Sequence, residues 1–142
     1  MTEARTGFQS EFAFRTLFNR FSFLSVKKFP IARESELAEG QTIQFKCIRA
    51  GKYVKGFVAR FGGEVVGYEN VCRHLPVGLD DGEGEFFSRD GNHFICQAHG
   101  ALYDPLSGLC VRGPCEGASL KKLKLEIEDG VIWLGQSSNR IK

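Results

Sequence analysis

Short runs in which polar and apolar residues alternate are the main pattern of this chain after its N-terminal segment. Residues 42–48, Thr-Ile-Gln-Phe-Lys-Cys-Ile, alternate in this way, which is typical of a strand with one buried face. A turn at 50–52 follows, and residues 53–60 run back. The sequence Phe-Gly-Gly-Glu at 61–64 predicts a tight hairpin, after which residues 65–68 form the next strand.

The same alternation returns near the C-terminus. Residues 122–127 alternate lysine or glutamate with leucine or isoleucine. Asp129-Gly130 predicts a hairpin turn, because both residues tolerate the positive φ that a two-residue turn requires, and residues 131–134 form the return strand. Many short strands separated by turn residues predict an all-β fold, either a sandwich or a barrel.

The first 25 residues differ from the rest of the chain in their aromatic content. Seven of the 13 phenylalanines lie between Phe8 and Phe29. Part of this Phe-rich extension fits helical spacing and part fits strand alternation, so its period is ambiguous. We expect residues 1–25 to form an extra element packed on the domain's own core. Contact with another copy of the chain, a partner or a membrane surface is the alternative. Residues 136–142 are expected to be a C-terminal tail.

Composition narrows the function classes only slightly. A chain of 142 residues is long enough to bury one core without disulfides. Its charged fraction is 25%, its hydrophobic fraction is 42%, and its net charge is +2. So small a net charge does not favour a nucleic acid as partner.

The five cysteines favour a reducing compartment. An odd number, with no recognisable leader sequence ahead of them, argues against a secreted disulfide framework. The longest apolar stretches are interrupted by basic residues, so no transmembrane segment is expected. We therefore expect a cytoplasmic protein.

Two short motifs carry the candidate chemistry: Cys72-Arg73-His74 and Cys96-Gln97-Ala98-His99. Each places a thiol and an imidazole close together, just after a predicted strand. Thiolate and imidazole ligands suit either zinc or an iron–sulfur centre. Zinc fingers usually group their two cysteines in one loop and their two histidines in another. Because each motif here supplies one of each, the pattern favours two irons, and a structural zinc site is the alternative.

The spacing Cys72-x-His74 followed by Cys96-x-x-His99 resembles that of Rieske [2Fe–2S] ferredoxins, in which two histidines replace two cysteines on one iron. The resemblance covers roughly residues 26–135. It includes four further segments: the turn Leu37-Ala38-Glu39-Gly40, the hairpin Gly100-x-x-Tyr103-Asp104 with Ser107-Gly108, the proline loop at Gly113-Pro114, and the terminal hairpin over 120–134.

The resemblance implies a Rieske-like antiparallel β-sandwich with a small cluster-binding hairpin subdomain. It also implies one [2Fe–2S] cluster per chain, with Cys72 and Cys96 on the inner iron and His74 and His99 on the outer iron. The two imidazoles would face solvent or a docked partner, which gives an electron a short exit route.

Departures from the family pattern predict a low potential. Val77 and Ala98 stand where high-potential Rieske proteins have two cysteines joined as a disulfide. Ala101 stands where they have a serine hydroxyl, whereas Tyr103 is retained. Because fewer hydrogen-bond donors stabilise the reduced cluster less, we expect a midpoint in the lower part of the roughly −150 to +300 mV Rieske range.

The function that the resemblance implies is that of a one-electron carrier. It would take electrons from a flavoprotein reductase and give them to an oxygenase-type acceptor. The chain is not expected to be an enzyme, because no nucleophile–base pair stands out and little sequence follows Leu134. The alternative is a small Rieske subunit of a multi-subunit reductase, similar to the nitrite reductase small subunit, docked through the Phe-rich extension.

The remaining chemical groups have simpler interpretations. Cys47 is expected in the core, and His93 on a strand surface rather than as a ligand. Cys110 and Cys115 flank the proline loop and are expected to be free thiols near the cluster, with a redox-sensitive pair as the alternative. The acidic run is expected to be a solvated loop, or else a surface that orients a basic partner. It comprises Asp80, Asp81, Glu83 and Glu85.

Overall fold

The computed structural model describes residues 28–49 and 51–135. These residues form nine β-strands and one 3-10 turn at Glu34–Glu36, with no α-helix among them. The Phe-rich extension and the C-terminal tail lie outside the described residues. The strands are β1 (Phe29–Arg33), β2 (Thr42–Arg49), β3 (Lys52–Phe61), β4 (Glu64–Glu69), β5 (Phe94–Ile95), β6 (Leu102–Tyr103), β7 (Cys110–Arg112), β8 (Leu125–Glu128) and β9 (Val131–Leu134).

The strands form three antiparallel sheets of three strands each, in the orders β1–β9–β8, β2–β3–β4 and β5–β6–β7. The predicted all-β antiparallel fold is therefore confirmed, and the small sheet β5–β6–β7 corresponds to the expected hairpin subdomain.

The sheet β2–β3–β4 is the middle layer, because both of its faces are covered. Along β3 the side chains alternate: Phe57 and Ala59 belong to one buried cluster, and Val58 between them belongs to the other. The first cluster joins this sheet to β5–β6–β7 and the loops around it. The second joins it to β1–β9–β8. The predicted burial of Cys47 is confirmed, since its side chain lies in the second cluster.

Both predicted hairpin turns are confirmed. Phe61 pairs with Glu64, and the intervening Gly62 and Gly63 have φ of 62° and 83°. Asp129 and Gly130 join β8 to β9 with φ of 53° and 77°. Consecutive positive φ values match the right-handed twist of the strands on either side, which is why these dipeptides fix the two hairpins locally.

The segment before β8 differs from the prediction. Residues 122–124 were expected to continue the strand that pairs with β9, but that strand begins at Leu125. The Leu123 N–H instead donates to the Gly67 carbonyl at 2.9 Å, and Lys122 forms an isolated bridge with Tyr68. The segment thus crosses from the middle sheet to the outer one: Lys122 and Leu123 pair with β4, and the Lys124 carbonyl accepts the Gly135 N–H, just after β9, at 2.8 Å.

Within the described residues, no helix is long and apolar enough to cross a lipid bilayer.

Candidate metal centre

The first candidate loop leaves the middle sheet where β4 ends and carries Cys72 and His74. The Cys72 N–H donates to the Val77 carbonyl at 2.8 Å, and the Val77 N–H donates to the Leu75 carbonyl at 2.7 Å. These bonds close a tight turn at the loop tip. As a result the Cys72 side chain is buried while His74 is exposed.

A buried polar pair anchors the base of this loop. The Asn70 Oδ1 accepts the Leu79 N–H at 2.7 Å, and its Nδ2 donates to Asp80 Oδ1 at 3.0 Å. Asp80 Oδ2 accepts the Gly84 N–H at 3.0 Å. A Cβ on Gly78 would lie 3.1 Å from both side chains of the pair, so the pair packs against a residue without a side chain.

This pair corrects the prediction for the acidic run. Asp80 is 3% exposed and is bonded internally, so it offers no charge to a partner, whereas Asp81, Glu83 and Glu85 remain exposed. Burial alone would raise the pKa of the Asp80 carboxyl. Hydrogen bonds from Asn70 and backbone N–H groups outweigh burial and hold that pKa below its usual value.

The second candidate loop joins β5 to β6 and carries Cys96 and His99. The Cys96 N–H donates to the Ala101 carbonyl at 2.9 Å, and the Gly100 N–H donates to the Cys96 carbonyl at 2.8 Å. The Gln97 N–H donates to the Leu79 carbonyl of the first loop at 2.8 Å. The two loops are therefore tied to each other as well as to their own strands.

Together the loops place sulfurs inside and imidazoles outside. Cys72 is 4% exposed and Cys96 is 1% exposed, whereas His74 and His99 are exposed. The two imidazole rings lie edge to face, with centroids 4.9 Å apart and planes at 81°. The structure thus brings the four residues that the sequence predicted as ligands to the tips of two neighbouring loops.

Hydrogen bonds favour negative charge on the Cys72 sulfur. Burial alone would raise the pKa of this thiol, but hydrogen bonds from the Tyr103 hydroxyl and from the N–H groups of His74 and Leu75 outweigh burial and lower it. The Tyr103 oxygen and the His74 nitrogen both lie 3.4 Å from the sulfur.

The Cys96 sulfur has the matching backbone arrangement. The N–H groups of Ala98 and His99 face it, as those of His74 and Leu75 face Cys72. Burial nevertheless raises the pKa of the Cys96 thiol, and the adjacent Cys72 sulfur adds to the rise because two like charges would meet there. A bound cation would offset both effects, since thiolates bind metals in the deprotonated form.

Tyr103 contacts the first loop from its buried side. Its side chain is fully buried, and its hydroxyl accepts the Arg73 N–H at 3.0 Å while contacting Cys72 Sγ. The same hydroxyl lies 3.2 Å from Cys115 Sγ. Burial, together with the two neighbouring thiols, raises the pKa of the Tyr103 phenol, so this group stays protonated and able to donate. The retained tyrosine was expected from the sequence, but its contact with Cys115 was not.

The proline loop packs on the second candidate loop. Gly113 has φ of 117°, and a Cβ at this position would lie 2.8 Å from the Ala101 Cα. Ala101 itself is fully buried. Only glycine allows so close an approach of the two backbones. Sequence reasoning found this loop but could not show which residue it contacts.

Asn70 is a site-supporting residue that sequence reasoning missed. Its position between β4 and Cys72 carries no pattern that distinguishes a buried amide from a turn residue. Burial of the side chain, at 8% exposure, is set by the loop that folds back over it.

The four candidate ligands form two layers. No three His, Cys, Asp or Glu side chains within residues 28–49 and 51–135 are arranged to hold one metal ion together. The four side chains instead separate into an inner layer of two sulfurs, each facing backbone N–H groups, and an outer layer of two imidazoles. This layering suits one metal with sulfur ligands and a second with nitrogen ligands.

Comparison with protein families agrees with this geometry. Residues 27–126 match the family model for the Rieske [2Fe-2S] domain. A curated relative, the menaquinol:cytochrome c reductase iron-sulfur subunit of Geobacillus thermodenitrificans, is 31% identical over 78 residues, which are 55% of this chain and 44% of the relative.

Solved structures share the fold. The terminal oxygenase of carbazole 1,9a-dioxygenase from Novosphingobium sp. KA1 aligns with a TM-score of 0.64 at 22% identity, over 80% of this chain and 30% of that one. The ferredoxin of carbazole 1,9a-dioxygenase from Nocardioides aromaticivorans IC177 aligns with a TM-score of 0.60 at 19% identity, over 78% of this chain and 99% of that one. The chain thus spans less than half the length of the curated relative and of the oxygenase.

Proposed function

The chain belongs to the Rieske [2Fe-2S] domain family, whose members bind a [2Fe–2S] cluster, and from this we propose that Cys72, His74, Cys96 and His99 are its cluster ligands. When bound, the cluster supplies one-electron redox chemistry. We further propose that the protein is an electron carrier that receives electrons from a flavoprotein reductase and passes them to an oxygenase-type acceptor.

The separation of buried sulfurs from exposed imidazoles is the observation that carries this proposal. Cys72 and Cys96 would bind the inner iron, where backbone N–H groups favour their thiolate form. His74 and His99 would bind the outer iron and remain in contact with solvent or a docked protein. An electron would therefore cross only an imidazole ring to reach a partner.

The choice of partners is supported by the solved structures that share the fold. Two of them, a terminal oxygenase and a ferredoxin, are components of carbazole 1,9a-dioxygenase systems. The ferredoxin aligns over nearly its whole length, which favours a carrier rather than an enzyme. A cytoplasmic location is proposed because an odd number of cysteines, two of them proposed as cluster ligands, does not suit a secreted disulfide framework.

Ligand substitution tests the proposal directly. Protein purified anaerobically is expected to contain two irons and two acid-labile sulfides per chain and to show a reddish-brown [2Fe–2S] spectrum. Replacing both imidazoles with thiols, as His74→Cys with His99→Cys, should keep a [2Fe–2S] cluster and lower its midpoint toward the roughly −400 mV of all-cysteine ferredoxins.

His93→Gln is the matched control, because His93 is the third histidine of the chain and lies half-buried just before β5. Its spectrum and midpoint should equal those of the unchanged protein. A colourless protein with one zinc, or a spectrum that neither His74 nor His99 affects, would refute the ligand assignment.

A subunit of a multi-subunit reductase is the second candidate function. Identity of 31% to an iron-sulfur subunit of a menaquinol:cytochrome c reductase favours it. Affinity purification of the tagged full chain from its own cells separates the two candidates. A carrier should elute alone at low salt after size exclusion, whereas a subunit should elute with its partner chains in fixed proportion.

A further inference from the structure

Two cysteines outside the proposed ligand set lie side by side. Cys110, on β7, and Cys115, in the proline loop, have their sulfurs 3.4 Å apart. The Cys110 N–H donates to the Ala118 carbonyl at 2.7 Å, and the Gly117 N–H donates to the Cys110 carbonyl at 2.9 Å. This backbone pairing holds the two cysteines at opposite sides of one short loop, with their sulfurs adjacent.

We propose that Cys110 and Cys115 form a thiol–disulfide site that reacts with low-molecular-weight disulfides, and that its redox state acts on Cys72 through the Tyr103 hydroxyl. The first part stands on the thiol geometry alone. The second part rests on the proposed function, because it assigns Cys72 as a cluster ligand.

The reaction is a pair of thiol–disulfide exchanges. Cys115, the more accessible of the two, attacks one sulfur of the small disulfide, forms a mixed disulfide and releases one thiol. The Cys110 sulfur then attacks the Cys115 sulfur and releases the second thiol. Both cysteines are oxidised, the small disulfide is reduced to two thiols, and the two cysteine protons end on those thiols. The sulfurs must close from 3.4 Å to about 2.05 Å.

Burial assigns these roles to the two cysteines. Cys110 is 1% exposed, and burial followed by its contact with Cys115 raises the pKa of its thiol to about 11. Cys110 is therefore a poor first nucleophile but lies next to the sulfur that it must attack. Cys115 is half-buried, so a small disulfide can reach it.

Tyr103 connects this pair to Cys72. Its hydroxyl lies 3.2 Å from Cys115 Sγ and 3.4 Å from Cys72 Sγ. Once Cys72 carries negative charge, the hydroxyl donates its hydrogen there, because charge-assisted hydrogen bonds are the stronger ones. The Cys115 thiol hydrogen can then be donated either to the Tyr103 oxygen, 3.2 Å away, or to the Cys110 sulfur, 3.4 Å away.

Disulfide formation removes that hydrogen. The Tyr103 hydroxyl keeps the hydrogen bond that it accepts from the Arg73 N–H. Each accepted hydrogen bond makes a hydroxyl a better donor, so losing the one from Cys115 weakens the bond from Tyr103 to Cys72. Fewer or weaker hydrogen bonds to a ligand sulfur lower the potential of an iron–sulfur site. The disulfide form should therefore have a lower midpoint than the dithiol form.

Thiol mapping on the full-length, metal-loaded protein tests the site itself. The protein is equilibrated with glutathione and glutathione disulfide over a range of ratios, and free thiols are then blocked by alkylation. Trypsin cleaves after Arg112, so residues 113–121 separate from the Cys110 peptide unless a disulfide joins them. At a high ratio of glutathione disulfide to glutathione, we expect the two peptides to be joined. Fragmentation should place the link on Cys110, and reduction should separate the peptides.

Cys110→Ala and Cys47→Ala are the informative variants. Cys110→Ala keeps the Cys115 thiol beside Tyr103 but cannot close the disulfide, so its Cys115 should accumulate the glutathione adduct. Cys47→Ala removes a buried cysteine of the other core and should leave the link unchanged. If Cys110 and Cys115 both stay reduced, the proposed disulfide site is wrong. It is also wrong if the protein without substitutions carries a glutathione adduct instead of the internal link.

The effect of the Cys110–Cys115 disulfide on the cluster potential is measured separately. After glutathione is removed, the isolated disulfide form should show a lower midpoint by film voltammetry than the dithiol form. Cys115→Ala, which has no thiol hydrogen beside Tyr103 under either treatment, should show one midpoint under both. An equal or higher midpoint in the disulfide form would overturn the coupling. A colourless protein would contradict the proposed cluster. The peptide map would still show whether Cys110 and Cys115 form a disulfide.

Discussion

Tyr103→Phe removes one oxygen atom and, with it, the hydroxyl that links the candidate centre to the core. In the structure this hydroxyl contacts Cys72 Sγ at 3.4 Å and accepts the Arg73 N–H at 3.0 Å. The ring itself stays, because phenylalanine fills the same buried space. The expected result is a lower midpoint potential in a protein that still folds and still binds its metal group.

The size of the shift follows from the hydrogen bond to Cys72. A hydrogen bond to a charged group contributes about 1.5–3 kcal/mol. An added electron is shared over several atoms, so we take about a third of that energy, roughly 0.5–1 kcal/mol, as the difference between the two redox states. Since 59 mV corresponds to about 1.4 kcal/mol for one electron, the midpoint should fall by about 20–45 mV.

Film voltammetry at fixed pH and ionic strength measures this shift. Tyr68→Phe is the matched control, because Tyr68 is also fully buried and its hydroxyl is also hydrogen-bonded, as the donor to the Pro105 carbonyl at 2.7 Å. Tyr68→Phe should lose stability by about 1–3 kcal/mol and keep the midpoint. If Tyr103→Phe left the midpoint within error, or if Tyr68→Phe moved it equally, the hydrogen bond to Cys72 would have no special effect.

Three further substitutions follow from the same contacts. Asp80→Asn should destabilise the protein by about 1–3 kcal/mol near neutral pH. The folded-state pKa of Asp80 is lowered, so its contribution is present above the unfolded pKa of about 3.9 and is lost as pH falls through the folded value. Denaturant titrations should therefore show the variant and the unchanged protein converging in acid, and a constant difference would contradict this account. Gly113→Ala combines a strained φ of 117° with a Cβ 2.8 Å from Ala101 Cα, and should cost about 2–4 kcal/mol in thermal unfolding. Gly117→Ala, with φ of 97° and open space around the Cβ, is its control and should cost less; equal costs would mean that contact with Ala101 is unimportant. Ala101→Ser adds the hydroxyl that the resemblance to high-potential Rieske proteins implies at this position and should raise the midpoint; a fall would contradict the role assigned to hydrogen-bond donors.

Several features of the fold could be predicted because they depend on neighbours in sequence. Gly62-Gly63 and Asp129-Gly130 fix two hairpins through their positive φ values, which few other residue pairs tolerate. Alternation placed Cys47 in the core, because successive side chains of a strand point to opposite faces. The two candidate ligand motifs could likewise be recognised from their spacing, since each lies within one short loop; their role as ligands stays a prediction.

Other features could not be predicted from the sequence, because they depend on how the sheets pack against each other. The acidic run looked like a solvated loop, yet Asp80 is buried because the Asn70 side chain and backbone N–H groups satisfy its carboxylate there. Residues 122–124 were expected to continue β8, but Lys122 and Leu123 pair with β4, and the Lys124 carbonyl is bonded to the Gly135 N–H after β9. Neither outcome is visible in a local pattern, because the deciding partners lie elsewhere in the chain.

The turns, the alternating strands and the grouping of a thiol with an imidazole on each loop can be recognised from the sequence. How the two loops meet, the bond from Gln97 that ties one to the other, and the place of Tyr103 between Cys72 and Cys115 become visible only in the folded chain. The difference lies in distance along the chain. Backbone dihedrals and face alternation are set by adjacent residues, whereas contacts between loops depend on how three sheets pack over shared cores.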